Sequence, residues 1–389
     1  MVSVAMRVPV NTQVLDWAVD RSRRREVLEH KFEKLSEWRQ GLLLPTFKQL
    51  QEFAKAAAVP FGYLLLQQPP NEQLPVANFR TLAGESRQGF SPELIDTIQT
   101  MQRRQLWMRE YLIAEGHDRL PFVGSMRSAD DPARIASQIR SVLGIDERWA
   151  STQPNWSKAL RAMIRHVERA GIMVMSNGIV ENNTHRNIDP EEFRGFVLTD
   201  EYAPLVFLNG ADGKAAQMFT LAHELAHIWL GISAAFDLRD LQPAGNETEQ
   251  ACNRIAAEFL VPSTAVREAW PEVSGNEQAY QLLARRFKVS EIVVARRLLD
   301  LALIDREAFL RFYRNWQSDE LRLARKLKDD EGGGNFYANQ NIRIGHLFGD
   351  MLTRSVQAGT TLYSDAWQLA GLKKNTFQEY AQQIFGRTV

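Results

Sequence analysis

Hydrophobic positions recur at helical spacing along most of this chain, and the pattern breaks in one central stretch. Up to about residue 70, NTQVLDWAVDRS, REVLEHKF, EKLSEWRQG and PTFKQLQEFAKAAAV are short apolar-periodic runs punctuated by Gly41 and Pro45, which predicts a group of short helices. Pro45 suits the first turn of the last of them. QQPPNEQLP, Gln67 to Pro75, places three prolines in nine residues and reads as a linker. SPELIDTIQTMQRRQLWMREYLIAEG then predicts a long helix with Ser91 as N-cap, Pro92 at its first position and Gly116 as its stop. Further helices are predicted from about Asp131 to Leu143 and from Ser157 to Gly171.

The period then changes. GIMVM, FRGFVL and APLVFLN are short β-rich runs separated by polar turns, and Asp200-Glu201-Tyr202 between the last two predicts a hairpin. FTLAHELAHIWLG, Phe219 to Gly231, follows as an almost wholly apolar helix. After Pro271 helical spacing returns, most clearly in FKVSEIVVARRLLDLALI, and EGGGN, Glu331 to Asn335, marks a break before a last helical run. The fold class is therefore α+β, a small strand region flanked by all-α segments, with no internal repeat or low-complexity tract.

Composition narrows this little. The 389 residues allow two or three domains. Lys+Arg and Asp+Glu are equal at 47 each, so net charge favours no class of partner. The single cysteine, Cys252, cannot form an internal disulfide and suits a reducing compartment. With no signal-peptide core at MVSVAMRVPV and no run near the roughly 20 apolar residues that span a bilayer, a cytoplasmic protein is expected.

The candidate chemistry lies in His223-Glu224-Leu225-Ala226-His227. On a helix, positions i and i+4 share a face, so both imidazoles can reach one Zn²⁺ at about 2.0–2.1 Å. Glu224 projects beside the ion, where it can take a proton from the attacking water and pass it to the leaving amine. A chain of this composition would show roughly 0.01 HExxH matches by chance. The surrounding Phe219, Leu221, Ala222, Leu225, Ile228, Trp229 and Leu230 require burial, and two histidines with a glutamate are costly there unless a metal pairs with them.

A catalytic site of this kind needs a third protein ligand. In NETEQACNRIAAEFLVPS, Asn246 to Ser263, the apolar Cys252, Ile255, Ala256 and Phe259 mark a buried helix face. Glu249 is in phase with that face, whereas Glu247 and Glu258 fall about half a turn away. Asn253, one turn after Glu249, is placed to hydrogen-bond a ligand. Glu249 could instead be a helix-start acid favoured by the dipole. Cys252 is a weaker ligand candidate because a free cysteine is more often a small buried hydrophobe. His185 and His166 are weaker still.

FTLAHELAHIWLG followed by ETEQACNRIAAEFLVP, with FRGFVLTDEYAPLVFLNG before them, resembles the ImmA/IrrE family of zinc metallopeptidases from about Val142 to Val273. The resemblance implies one zinc per chain in a gluzincin-like His₂Glu site: His223, His227 and Glu249 as ligands and Glu224 as base. It also implies a zincin-like core with a small twisted sheet beside the active-site helix. An edge strand of such a sheet could bind substrate as an added strand. Ala203 to Leu208 is the expected edge, so that Val206→Pro should harm cleavage more than folding. Tyr202, His185 and Arg254 remain alternatives for stabilising an oxyanion.

SEWRQGLLLPTFKQLQEFAKAAAVPFGYLL, Ser36 to Leu65, resembles XRE-type helix-turn-helix domains, which implies that the helix near Glu33–Gln40 faces a DNA major groove. Met1 to Pro75 carries 10 Lys+Arg against 8 Asp+Glu, a thin excess for DNA. Arg21, Arg23, Arg24, Arg25, Lys31, Lys34 and Arg39 could form a local patch or a solvated face. RRFKVSEIVVARRLLDLALI, Arg285 to Ile304, is also helix-turn-helix-like and more simply read as a packing subdomain. The expected domains are 1–70 (helix-turn-helix), 71–141 (linker and helices), 142–273 (peptidase) and 274–389 (helical, with His346 structural or exposed).

The leading functional expectation is a regulatory zinc endopeptidase. The resemblance implies a helix-turn-helix repressor or antitoxin as substrate, cut to relieve repression. The alternative is a DNA-binding or antitoxin-like module whose peptidase fold holds zinc and cuts little. Intact Glu224 speaks against it, since the base serves chemistry rather than metal binding. His₂Glu sites also accept other divalent metals.

Overall fold

In the computed structural model the described residues are 6–71, 90–236, 247–318 and 336–389. They divide into two compact units, Met1–Ile98 and Gln99–Val389. Residues 72–75 of the QQPPNEQLP linker and all of EGGGN lie outside the described residues.

The first unit is built from α1 (Thr12–Ser22), α2 (Arg25–Lys31), α3 (Leu35–Arg39), α4 (Phe47–Ala56) and a 3₁₀ turn (Phe61–Leu65). Val14, Leu15, Leu28, Trp38, Leu50, Phe53 and Leu64 close one core. Pro45 stands outside α4 rather than in its first turn. Thr46 is the N-cap and forms a reciprocal capping box with Gln49, which satisfies two of the backbone donors at that end. The helix expected near Glu33–Gln40 is α3, only five residues long. The long helix α5 (Pro92–Ala114) runs through the boundary between the units, and Ser91 Oγ accepts from the Leu94 N–H as its sequence predicted.

In the second unit α6 (Pro132–Leu143) and α7 (Trp156–Arg169) lead into β1 (Met173–Asn177), β2 (Gly195–Leu198) and β3 (Leu205–Asn209). Then come α8 (Lys214–Leu230), β4 (Ala234–Phe236), α9 (Glu247–Leu260), α10 (Ser263–Val273), α11 (Ala279–Phe287), α12 (Glu291–Asp300) and α13 (Arg306–Gln317). The last helices are α14 (Phe336–Ile344), α15 (His346–Gln357), α16 (Tyr363–Ala370) and α17 (Lys374–Phe385).

The four strands run in the order β1-β3-β2-β4. β2 and β3 form the expected antiparallel hairpin, β1 joins β3 in parallel with Met173 opposite Leu205, and β4 pairs antiparallel to β2. Every residue of β1, β2 and β3 is buried, so these strands read as continuous apolar runs rather than alternating ones.

This order corrects the edge-strand expectation for Ala203 to Leu208. β3 is held by β1 on one side and β2 on the other, and Val206 is fully buried. Proline there would remove a ladder donor inside the core, so Val206→Pro cannot separate cleavage from folding. The outer strands of the sheet are β1 and β4.

Two glycines set how closely α8 lies on its neighbours. A Cβ on Gly195 would sit 2.6 Å from Thr220 Cγ2 and 2.7 Å from the Phe207 carbonyl, so only glycine lets α8 approach β2 this closely. Gly231 ends α8 in the left-handed region (φ +71), with its N–H donating to the His227 carbonyl, and it packs against Gly124. α9 packs against both α8 and α6.

Candidate metal centre

The apolar stripe of α8 wraps around the helix, and His223, Glu224 and His227 are all completely buried within it. α9 starts at Glu247, which places Glu249 in its first turn and turns its carboxylate toward the two imidazoles. Cys252, Ile255, Ala256 and Phe259 are buried, as the phase argument required, and hold α9 in that rotation.

Three donor atoms converge. His223 Nε2 and His227 Nε2 lie 3.1 Å apart. Glu249 Oε2 is 3.0 Å from His223 Nε2, and its Oε1 is 3.3 Å from His227 Nε2. For ligands at about 2.0–2.1 Å from a tetrahedral ion, the edge between two donors is about 3.3–3.4 Å. The two ring nitrogens are nearly that far apart, each faces a different oxygen of Glu249, and with one ligand atom per residue all three atoms lie within 4.8 Å of one another.

The protonation pattern also fits a cation. Burial lowers His223 to about 4, so the ring is neutral at ordinary pH. Its Nδ1 meets Asn253 Oδ1 at 3.0 Å, and an amide oxygen only accepts, so the one ring proton belongs on Nδ1. Nε2 then presents a lone pair to Glu249. Burial alone would raise Glu249; its carboxyl is held far below the usual range only where the two rings donate to it or carry positive charge, and with a lone pair on His223 Nε2 that charge has to come from a cation. Lone pairs and an anion packed this tightly call for positive charge between them. Both oxygens of Glu224 and Nδ1 of His227 are buried with no hydrogen-bond partner among the described residues. Burial, reinforced by the Glu249 charge, raises Glu224 well above the normal carboxyl range. The set His223, His227 and Glu249 could therefore hold a metal ion, with Glu224 beside it.

The other candidates do not join this group. Cys252 is buried, and desolvation pushes its thiol strongly upward, toward the behaviour of a packing residue. His166 Nδ1 lies 2.9 Å from the Leu143 carbonyl, and His185 is exposed in a turn. Arg254 is exposed on α9, and the Tyr202 hydroxyl accepts from Arg119 Nε at 3.3 Å. Among the described residues none of these five belongs to the group that could hold a metal ion.

Sequence phase missed Glu258. It falls off the Glu249 face and yet is buried. Arg297 pairs with it, and the Ser263 N–H and Oγ each donate to its Oε1 at 3.0 Å. Arg140 and Arg297 also donate to the carbonyls of Phe259 and Val261 where α9 ends. This network fixes the far end of the helix that carries Glu249. A long-range salt bridge has no local sequence signal, so periodicity could not find it.

In the first unit much of the basic cluster is already neutralised. Arg21 pairs with Asp96 at 3.1 Å, Arg24 with Glu93 at 3.6 Å, Arg25 with Asp20 at 2.6 Å, and Arg39 with Asp16 and Glu29. The Lys31 ammonium sits over the Phe32 ring.

Residues 167–299 match the model of a peptidase family described as the IrrE N-terminal-like domain. That span contains the strands, α8 and α9, and it supports the ImmA/IrrE resemblance for this part of the chain. Residues 344–383 match a domain of unknown function. No curated protein matches the chain. Among the described residues no helix is long and apolar enough to cross a membrane.

Proposed function

We propose that the chain is a regulatory zinc endopeptidase that hydrolyses a peptide bond in a protein substrate. His223, His227 and Glu249 hold the ion. The observation that carries this reading is the convergence of two ring nitrogens and one carboxylate, with contacts of 3.0–3.3 Å, beside a buried carboxylate with no partner of its own among the described residues. Bound zinc would polarise the scissile carbonyl and acidify water.

The chain's own groups supply the remainder. Asn253 accepts from His223 Nδ1 and so turns Nε2 inward. Glu224 takes the proton of the attacking water and returns it to the leaving amine. Its burial raises proton affinity, which suits a group that must hold that proton between the two steps. The family resemblance points to a helix-turn-helix repressor or antitoxin as the substrate, with cleavage relieving repression in the cytoplasm.

Metal content per chain and cleavage of helix-turn-helix proteins encoded nearby test the assignment. Wild type should carry about one zinc, Glu249→Ala should lose it, and Glu224→Gln should keep zinc while losing cleavage by about 10²-fold or more. Zinc without cleavage of any such protein would favour a metal-holding DNA-binding or antitoxin-like module. Folded protein that takes up no metal would remove the proposal.

A further inference from the structure

α7 packs one face into the core and turns a strongly basic one to solvent. Leu160, Met163 and Val167 are buried in the cluster that also holds α8. Lys158, Arg161, Arg165 and Arg169 are all exposed. At 3.6 residues per turn these four fall within an arc of about 80° and run along about 17 Å of the helix axis. Among the described residues none of their side chains has an ion pair or a hydrogen bond. The single acid of the helix, Glu168, is buried and accepts from the Leu347 N–H at 3.0 Å. Arg161, Arg165 and Arg169 are successive i, i+4 neighbours of like charge, a spacing that weakens a helix.

The arginines of the preceding segment are matched by acids. Arg140 pairs with Glu147 at 3.3 Å and Arg148 with Glu268 at 3.9 Å. Asp146, in the loop before α7, accepts from the Arg148 N–H at 2.7 Å. Just after α7, Leu120 packs at Gly171, and Arg119 beside it pairs with Glu201 at 2.9 Å. The exposed Asp146 and Asp118 are thus single acids toward the two ends of the helix, with four cations between them.

The side chains of this face also decide among polyanions. No large apolar side chain of α7 is exposed, so the face has neither the anchor on which a protein interface centres nor the apolar side that a membrane-surface helix buries. Its one aromatic ring, Trp156, is engaged: the indole N–H donates to the Val289 carbonyl at 3.2 Å, and the Lys288 ammonium lies over the ring. Single strands stack their bases on open rings, and α7 offers none. Guanidiniums in a row suit phosphate oxygens, and a duplex presents about one phosphate charge per 1.7 Å of its axis.

We propose that Lys158, Arg161, Arg165 and Arg169 of α7 bind the phosphate backbone of duplex nucleic acid without reading its sequence. The proposal stands apart from the peptidase reading, because none of these residues belongs to the group that could hold a metal ion.

The full chain should bind two fluorescein-labelled duplexes of about 30 base pairs and unrelated sequence with affinities within about two-fold, measured by anisotropy from about 50 mM salt upward. Arg161→Gln/Arg165→Gln should weaken binding by about ten-fold or more and lower the slope of log affinity against log salt by roughly two. Arg161→Lys/Arg165→Lys keeps the charge and should keep the slope. Both side chains are exposed, so the melting temperature and metal content of both variants should match wild type. Absence of duplex binding at low salt would overturn the proposal. So would a salt slope that Arg161→Gln/Arg165→Gln leaves unchanged, which would place the duplex elsewhere on the chain. Displacement of the duplex by polyglutamate at equal charge would assign the face to an acidic protein segment and overturn it as well.

Discussion

At the scale of single residues, the proposed metal centre depends on groups outside its three ligands. Asn253 is the clearest. Its amide oxygen decides which nitrogen of His223 is protonated, and therefore whether Nε2 is a ligand or a donor. Asn253→Ala should weaken zinc binding about 10–100-fold while leaving the fold intact, and Asn253→Asp should recover most of it because a carboxylate still accepts from Nδ1. Competition with a chromophoric chelator measures both. Equal affinity in wild type and Asn253→Ala would mean that burial alone orients the ring.

At the scale of elements, the most exposed assumption is that the C-terminal helices are seated by ordinary packing. Glu168, near the end of α7, is nearly buried and accepts from the Leu347 N–H at 3.0 Å as α15 begins. Burial pushes its carboxyl up to about 7, although the Leu347 and His346 N–H groups pull the other way. A raised carboxyl binds its proton more tightly folded than unfolded. This stabilisation is complete below the ordinary value of 4.5 and is lost as pH rises toward 7. Glu168→Gln keeps an acceptor for Leu347 and cannot ionise. Its melting temperature should match wild type near pH 4.5 and exceed it at pH 8, by roughly 2–3 kcal/mol in stability. A wild type and variant that differ equally at both pH values would show that Glu168 is not protonated in the fold.

Elements also show what could be read from sequence and what could not. The strands, α8 and α9 follow from local period and turn chemistry, and Glu249 follows from phase, because each signal lies within one element. Strand order does not. β4 is a three-residue strand after α8, too short to register as a period, and β1 reaches β3 across the whole β2 segment. The pairing with β1 put β3 inside the sheet and removed the expected edge. Glu258 belongs to the same class, since its partner Arg297 is 39 residues away.

At the scale of the whole chain, the two compact units answer differently to the metal. All three donors, Glu224 and Asn253 belong to Gln99–Val389, and the first unit closes its own core without them. Without a cation, the second unit must hold a carboxylate and two imidazole nitrogens within 3.3 Å of one another in a buried site. A ligand that binds only the folded state stabilises it by about 4 kcal/mol when present at 1,000 times its dissociation constant. Chelation should therefore lower the melting transition of the second unit by several degrees and leave that of the first unchanged. Differential scanning calorimetry of the full chain, with and without a chelator, resolves the two. A shift of both transitions together would mean that α5, which runs through the boundary, couples them into one cooperative block. A scan that chelation leaves untouched would mean that the triad is stable as a hydrogen-bonded cluster, and the lone-pair argument for a bound cation would fail with it.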